Sequence, residues 1–225
     1  VPNTGVYSGA TTATLSITGA TASMNGYRYK DSLYVNVCNS FVNTNAATLT
    51  VNPNPVVVLS ANPYTELYPG LTTTLTAAVS PNAAATYTWY RNGVVVPGAT
   101  ASTLVVDVDG LGVYTVAVND VNGCNNTSSS ITIKDAANDI LFIYPSPNTG
   151  AFQVRYYSGA GNNPLPRIIN IYDNKGTRVF TKTYTVNVPY TRLDVDLKNH
   201  AKGIYNVELS DANGRRLKSG RVVIL

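Results

Sequence analysis

The sequence predicts an all-β chain built as sandwiches in tandem, and three observations predict it. Helix formers are scarce: Glu occurs only at Glu66 and Glu208, while Thr, Asn, Val, Ala and Tyr dominate. β-Branched and aromatic residues suit a pleated, half-buried surface. Apolar and polar residues alternate at a period of two, and turn residues interrupt the runs at short intervals. With 225 residues, 44% hydrophobic and only 12% charged, the chain can bury one large core or two smaller ones.

Residues 54–134 form the clearest unit. In "LTTTLTAAV" the alternation turns Leu71, Leu75 and Val79 inward against threonines. "TYTWYRNG" places the only Trp, Trp89, in the next strand, ahead of an Asn92-Gly93 hairpin turn. "STLVVDV" follows, then "DGLGVYTVAVND" with Tyr114 just past a glycine-rich corner, and "SSSITIK" closes the unit. Seven short strands, a Trp in the third and a Tyr at the E–F corner are the pattern of an immunoglobulin-like sandwich. Val116 stands where the inter-sheet cysteine would be, two residues after that Tyr. Cys38 and Cys124 form neither a Cys-x-x-Cys spacing nor a disulfide framework and are expected to be unlinked.

Residues 1–52 read as the second half of a similar domain. "ATLSITGA" parallels "STLVVDVDG", and "NAATLTV" parallels "SSSITIK". The segment resembles the E, F and G strands of the tandem immunoglobulin-like repeats of large bacterial surface proteins. The strands that would precede them are missing, so its inner face is expected to be uncovered. Val1 opens with neither Met nor a signal segment, and the chain reads as a piece of a longer protein.

A short polar segment, "KDAAND", precedes the third unit, with residues 135–139 as an exposed linker that a protease should cut first. Residues 140–225 offer "ILFIY", "AFQVRYY", "RIINIYD", "TRVFTKTY", "TRLDVDL", "GIYNVELSD" and "RRLKSGRVVIL" as strands of a second compact sandwich. Hairpin turns are read at "DNKG", 173–176, and "DANG", 211–214.

From Ile140 onward there are 12 Lys and Arg against 5 Asp and Glu, a net +7; before it there are 4 against 7, a net −3. The basic residues are scattered singly with no run of three, the pattern of a solvated face, and no nucleic-acid partner is expected. No apolar run approaches the ~20 residues a helix needs to cross a bilayer, so the chain is not expected to span a membrane.

Chemistry is thin. The only imidazole, His200, lies in the turn "KNHAKG" without a Ser–Asp arrangement. One His and two distant Cys do not make a structural zinc site. Asp194 and Asp196 share one strand face ~7 Å apart and read as solvent-facing residues rather than a glycosidase pair. "DVDG" at 107–110 and "NDVNG" at 119–123 supply too few oxygens for a calcium loop. No catalytic residue, metal or cofactor is expected.

The C-terminal unit resembles the type A sorting domain of the type IX (Por) secretion system of Bacteroidetes. The residues carrying the resemblance are Tyr144, Pro145, Pro147 and Gly150; Ile169, Ile171, Tyr172, Asp173 and Gly176; Gly203 and Tyr205; and Lys218 with Val222, Val223, Ile224 and Leu225. Ser146 departs from the family, where Asn is common. The resemblance implies a signal read at the outer membrane through Pro145, Pro147, Gly150, Gly203, Tyr205, Lys218 and the Val222–Leu225 terminus. Its partners would be the type IX translocon with its outer-membrane β-barrel shuttle protein and, at the surface, a sortase-like peptidase, since many relatives lose the domain after export. "DSL" at 31–33 resembles the Bacteroidetes O-glycosylation site and marks Ser32.

Two functions are weighed. The first is the non-enzymatic end of an exported, adhesin-like surface protein carrying its own secretion signal. The alternative is a carbohydrate-binding region of a secreted polysaccharide-degrading enzyme, with Tyr64, Tyr68, Tyr87 and Tyr90 as a sugar-stacking surface.

Overall fold

In the computed structural model, residues 1–159 and 164–225 are described, and the chain is strand after strand, relieved by two single 3-10 turns at Ala22–Met24 and Val108–Gly110. The first 52 residues make small ladders. Tyr7–Ser8 (β1) pairs Ser16–Ile17 (β2), Arg28–Tyr29 (β3) pairs Ala47–Thr48 (β6), and Ser32–Val35 (β4) pairs Ser40–Asn43 (β5), all antiparallel. Within 1–52 Met24 alone is buried, while Tyr34 stacks on Phe41 and Val37 is 96% exposed. Too little apolar surface is covered here to form a core.

The middle unit is a two-sheet sandwich. One sheet runs Thr103–Val106 (β12), Thr73–Ser80 (β9), Val56–Asn62 (β7). The other runs Val94–Val95 (β11), Ala84–Arg91 (β10), Gly112–Asp120 (β13), Ile131–Asp135 (β15), Glu66–Leu67 (β8), with Asn125–Thr127 (β14) added to β13. Strict alternation delivers Leu75, Trp89, Tyr114, Val116, Val118 and Ile133 to the core between the sheets. Val116 is fully buried where a disulfide could have stood, so packing does that work. Cys38 and Cys124 are both free.

The last unit repeats the architecture. Phe142–Tyr144 (β16), Ala151–Arg155 (β17) and Leu193–Asp196 (β20) form one sheet; Arg178–Val186 (β19), Leu165–Tyr172 (β18), Gly203–Ser210 (β21) and Arg216–Ile224 (β22) form the other. Its core holds Phe152, Val154, Ile169, Ile171, Val195, Val207, Leu209 and Val222. At 1.5–3 kcal/mol per fully buried large aliphatic side chain, roughly, such a cluster outweighs every surface contact.

One turn design recurs three times, at Asp120–Cys124, Asp173–Thr177 and Asp211–Arg215. In each, the Asp carboxylate accepts the amides of the second and fourth residues on, the Asp amide donates to the fourth carbonyl, and the glycine sits near φ +80°. That φ suits Gly, and the carboxylate satisfies donors that the turn would otherwise leave unpaired. "NDVNG" is thus a hairpin whose acid is already committed to backbone. Burial pushes the Asp120 carboxyl up, but the bonds from Asn82 and the amides of Cys124 and Asn122 hold it below the usual carboxylate range.

Residues 135–139 differ from the sequence expectation of a free linker. Asp135 belongs to β15, the Ala136 amide donates to Leu67 O at 2.8 Å, and the Ala136 carbonyl accepts the Tyr190 hydroxyl at 2.6 Å. Tyr190 is 1% exposed, and burial pushes its hydroxyl up to about 12, so it remains a donor at neutral pH. Phe142 stacks on Tyr68 of the middle sandwich and meets Tyr190 edge-on. Arg155, 2% exposed, grips both oxygens of Asp109 in that sandwich at 2.5 and 2.8 Å. The Arg155 hydrogen bonds hold the Asp109 carboxyl below the usual carboxylate range. This contribution is therefore present at neutral pH and is lost only as pH falls through that depressed value.

Both sandwiches anchor a core tyrosine on the carbonyl four residues upstream: Tyr114 Oη donates to Gly110 O, and Tyr205 Oη to Ala201 O at 2.5 Å. Tyr114→Phe and Tyr205→Phe should each cost about 1 kcal/mol of unfolding free energy in urea titration. In the double variant the two losses should add, because the sites lie in separate cores.

Candidate functional site

The candidate site is the chain's last strand and what holds it. Alternation sends Val222 and Ile224, 0% and 4% exposed, into the core and leaves Leu225 62% exposed, with Val223 half-buried. Along one edge β22 pairs β21, with Gly203 opposite Ile224, Ile204 opposite Val223 and Tyr205 opposite Val222.

The other edge is closed by the "YPSPNTG" loop. Asn148 N donates to Val223 O at 3.0 Å, Leu225 N donates to Asn148 O at 2.8 Å, and Val223 N donates to Ser146 Oγ at 3.2 Å. The Asn148 side chain then braces its own loop, with Nδ2 donating to Pro145 O at 2.8 Å and Oδ1 accepting Gly150 N at 2.6 Å. Pro145 and Pro147 have no N–H to leave unpaired, so their exposed positions suit a loop lying along a sheet edge. The parallel register of Asn148 with Ile224 sets Pro147 alongside Val223.

Gly150 is fixed twice over. Its φ is +100°, and a Cβ there would lie 2.6 Å from Lys198 Cα and 2.7 Å from Lys198 N. Its carbonyl accepts the Leu197 amide at 2.7 Å, tying the loop to the end of β20. Gly203 faces open space, since an added Cβ would meet nothing within 4 Å.

The residues read as recognition elements from sequence therefore divide. Pro145, Pro147, Val223 and Leu225 come together at the surface, and Gly203 lies beside them at the start of β21. Gly150, Tyr205, Val222 and Ile224 are buried and hold the fold. Lys218 lies away from this end, seven residues or roughly 23 Å up the strand from Leu225. It is half-buried and paired with Asp139. Sequence reasoning missed Asn148, Ser146 and Ile204. Ile204, 54% exposed beside Val223, was readable from the alternation of "GIYNV"; the role of Asn148 depends on a strand about 75 residues away in sequence.

Elsewhere the candidates do not converge. Among the described residues no group of three or more His, Cys, Asp or Glu could hold a metal ion. Asp194 pairs Arg192 at 2.6 Å and Asp196 pairs Lys198 at 3.8 Å, all on the exposed face. Tyr87 packs on the middle core and Tyr68 stacks on Phe142, which commits two of the four tyrosines read as a sugar-stacking surface to packing within the protein. Ser32 is exposed on β4, opposite Asn43. No helix among the described residues is long and apolar enough to cross a membrane.

Two substitutions test the clamp. Asn148→Ala removes both side-chain bonds and should lower the stability of the last sandwich by about 2 kcal/mol. Gly150→Ala combines backbone strain with a clash against Lys198 and should cost about 3 kcal/mol or more. Differential scanning calorimetry of the whole chain should place both losses in the transition that contains the C-terminal core, leaving the middle sandwich unshifted.

Residues 142–224 match the family model described as "Secretion system C-terminal sorting domain". No curated protein matches the chain. Among solved structures, dimeric latent PorU from Porphyromonas gingivalis is 13% identical at TM-score 0.33, covering 88% of this chain and 24% of that one. The N-terminal eight immunoglobulin domains of Down Syndrome Cell Adhesion Molecule are 14% identical at TM-score 0.36, covering 100% and 29%. The Bacteroides ovatus SGBP-B, solved with a mixed-linkage heptasaccharide, is 18% identical at TM-score 0.30, covering 78% and 48%. The chain thus spans about a quarter of the length of the first two, and at such scores these likenesses carry no weight for function. The family match, by contrast, runs from the strand before the Pro-rich loop to the buried end of β22 and takes in all of the clamp but Leu225. Residues 142–224 are a type IX secretion system C-terminal sorting domain, which implies export across the outer membrane to the cell surface or the medium.

Proposed function

We propose that this chain is the non-catalytic C-terminal part of an adhesin-like surface protein. Its sorting domain is read, while folded, by an outer-membrane β-barrel shuttle of the type IX translocon, and a sortase-like peptidase acts on it afterwards. One observation supports the mode of reading. Around Val223 the terminal strand is already engaged on both edges: it pairs β21, and the Val223 amide and carbonyl are both taken up by the Pro-rich loop. A free tail adding as a new strand would first have to break the Ser146 and Asn148 bonds. What the folded domain offers instead is a compact apolar surface, Pro145, Pro147, Ile204, Val223 and Leu225, of the kind that anchors protein–protein contacts. The immunoglobulin-like sandwich ahead of it supports a stalk that carries something outward.

The same geometry decides how to test the reading. Deleting residues 221–225 would remove Val222 and Ile224 from the core, roughly 1.5–3 kcal/mol each before the lost ladder bonds. Against a total stability of about 5–15 kcal/mol, such a truncation unfolds the domain and says nothing about recognition. Surface substitutions separate the two. The full 225-residue chain fused to a periplasm-directed fluorescent protein should be secreted by a type IX-competent bacterium. The double variant Ile204→Lys, Leu225→Lys should keep its melting temperature yet be secreted about tenfold less. Undiminished secretion of the folded variant would refute the proposed surface.

A further inference from the structure

The segment between the two sandwiches is anchored near each end. Ala136 is bonded through its amide to Leu67 and through its carbonyl to Tyr190. Asp139 is paired with Lys218 of β22, and the Ile140 amide donates to Asn138 Oδ1. The segment stays short only because the sandwiches meet, and their meeting is specific. A guanidinium that is 3% exposed in one domain finds its carboxylate in the other, and Asp109 is its only carboxylate partner among the described residues. Arg155 is also placed by Gln153 Oε1 at 2.9 Å and by the Tyr190 carbonyl at 3.3 Å, which links the ion pair to the tyrosine that holds Ala136. A buried cation with a two-oxygen grip is geometrically exacting, since both donors must be aligned at once.

We propose that this junction is a lock on the connecting segment: while Arg155 and Tyr190 are seated, residues 135–139 cannot be drawn out as an extended protease substrate. Cutting the sorting domain from its neighbour then requires the two sandwiches to part first. Where reclosure is fast compared with cleavage, the rate of cutting follows the population of the parted state. The consequence is a gate that depends on neither domain unfolding, and it could be released by any protein that competes for the Phe142–Tyr190–Arg155 face.

The test uses the whole chain and thermolysin, which cleaves before Ala136, Ala137 and Ile140. Cleavage near Val37, 96% exposed in the first unit, serves as the internal reference. Asp109→Ala weakens the lock from the middle sandwich and Tyr190→Phe from the sorting domain, and neither alters residues 135–139. Under conditions where both variants keep the wild-type circular dichroism, cutting at 136–140 relative to the reference should rise on the order of tenfold in each. Wild-type chain cut at 136–140 as readily as at the reference site, or variants with an unchanged ratio, would overturn the lock.

Discussion

The end of β22, the last strand of the C-terminal sandwich, is held along both edges, and much else in the domain follows from that. A terminal strand usually frays, because its outer edge offers amides and carbonyls to water and only one neighbour holds it. Here Asn148 and Ser146 supply the second neighbour over the final three residues. The loop that carries them must therefore lie flat, lack surplus donors and turn sharply back into β17. Two prolines and a glycine at φ +100° meet those demands. The apolar letters at the chain end and the rigid Pro-rich stretch about 75 residues earlier are two halves of one ladder.

This arrangement sorts the family-like residues by what they can do. A buried side chain cannot be touched by a receptor without unfolding, so Tyr205, Val222 and Ile224 act by holding the strand in place. Their outward-facing neighbours in the same ladder, Ile204, Val223 and Leu225, are positioned by them, because successive residues of a strand face opposite ways. A motif read as one recognition element is thus half scaffold and half surface, and the two halves alternate residue by residue.

How much of this was legible in the sequence depended on range. Local patterns carried well: "LDVDL" gave its strand and its buried face, Asn92-Gly93 its hairpin, and the Asp-x-x-Gly turns at 173 and 211 their reversals. The same turn at Asp120 resembles a fragment of a calcium loop with too few oxygens, because its acid is visible in the sequence and the amides it binds are not. Contacts between distant segments were invisible for a plainer reason. Asp109 and Arg155 are 46 residues apart, and no periodicity relates them. "KDAAND" has the composition of a loose linker, yet composition cannot report that Tyr190, on a turn more than fifty residues on, closes over Ala136. Polar residues suit a solvated strand end as well as a free loop.

The short strand β16 joins these long-range features. Phe142 faces the junction, against Tyr68 and Tyr190. Ile143 lies over Gly220 of β22 so closely that a Cβ on that glycine would come within 2.6 Å of the Ile143 terminal methyl. Tyr144 leads directly into Pro145 and the clamp. Three consecutive residues thus touch the neighbouring sandwich, the middle of the terminal strand and the loop that closes its end. A strand this short contributes little ladder of its own, and its stability comes from what it touches. Parting the sandwiches removes the aromatic support of Phe142, and the same backbone carries Ile143 and the start of the clamp. β16 is therefore the one short strand that the junction and the terminal clamp share.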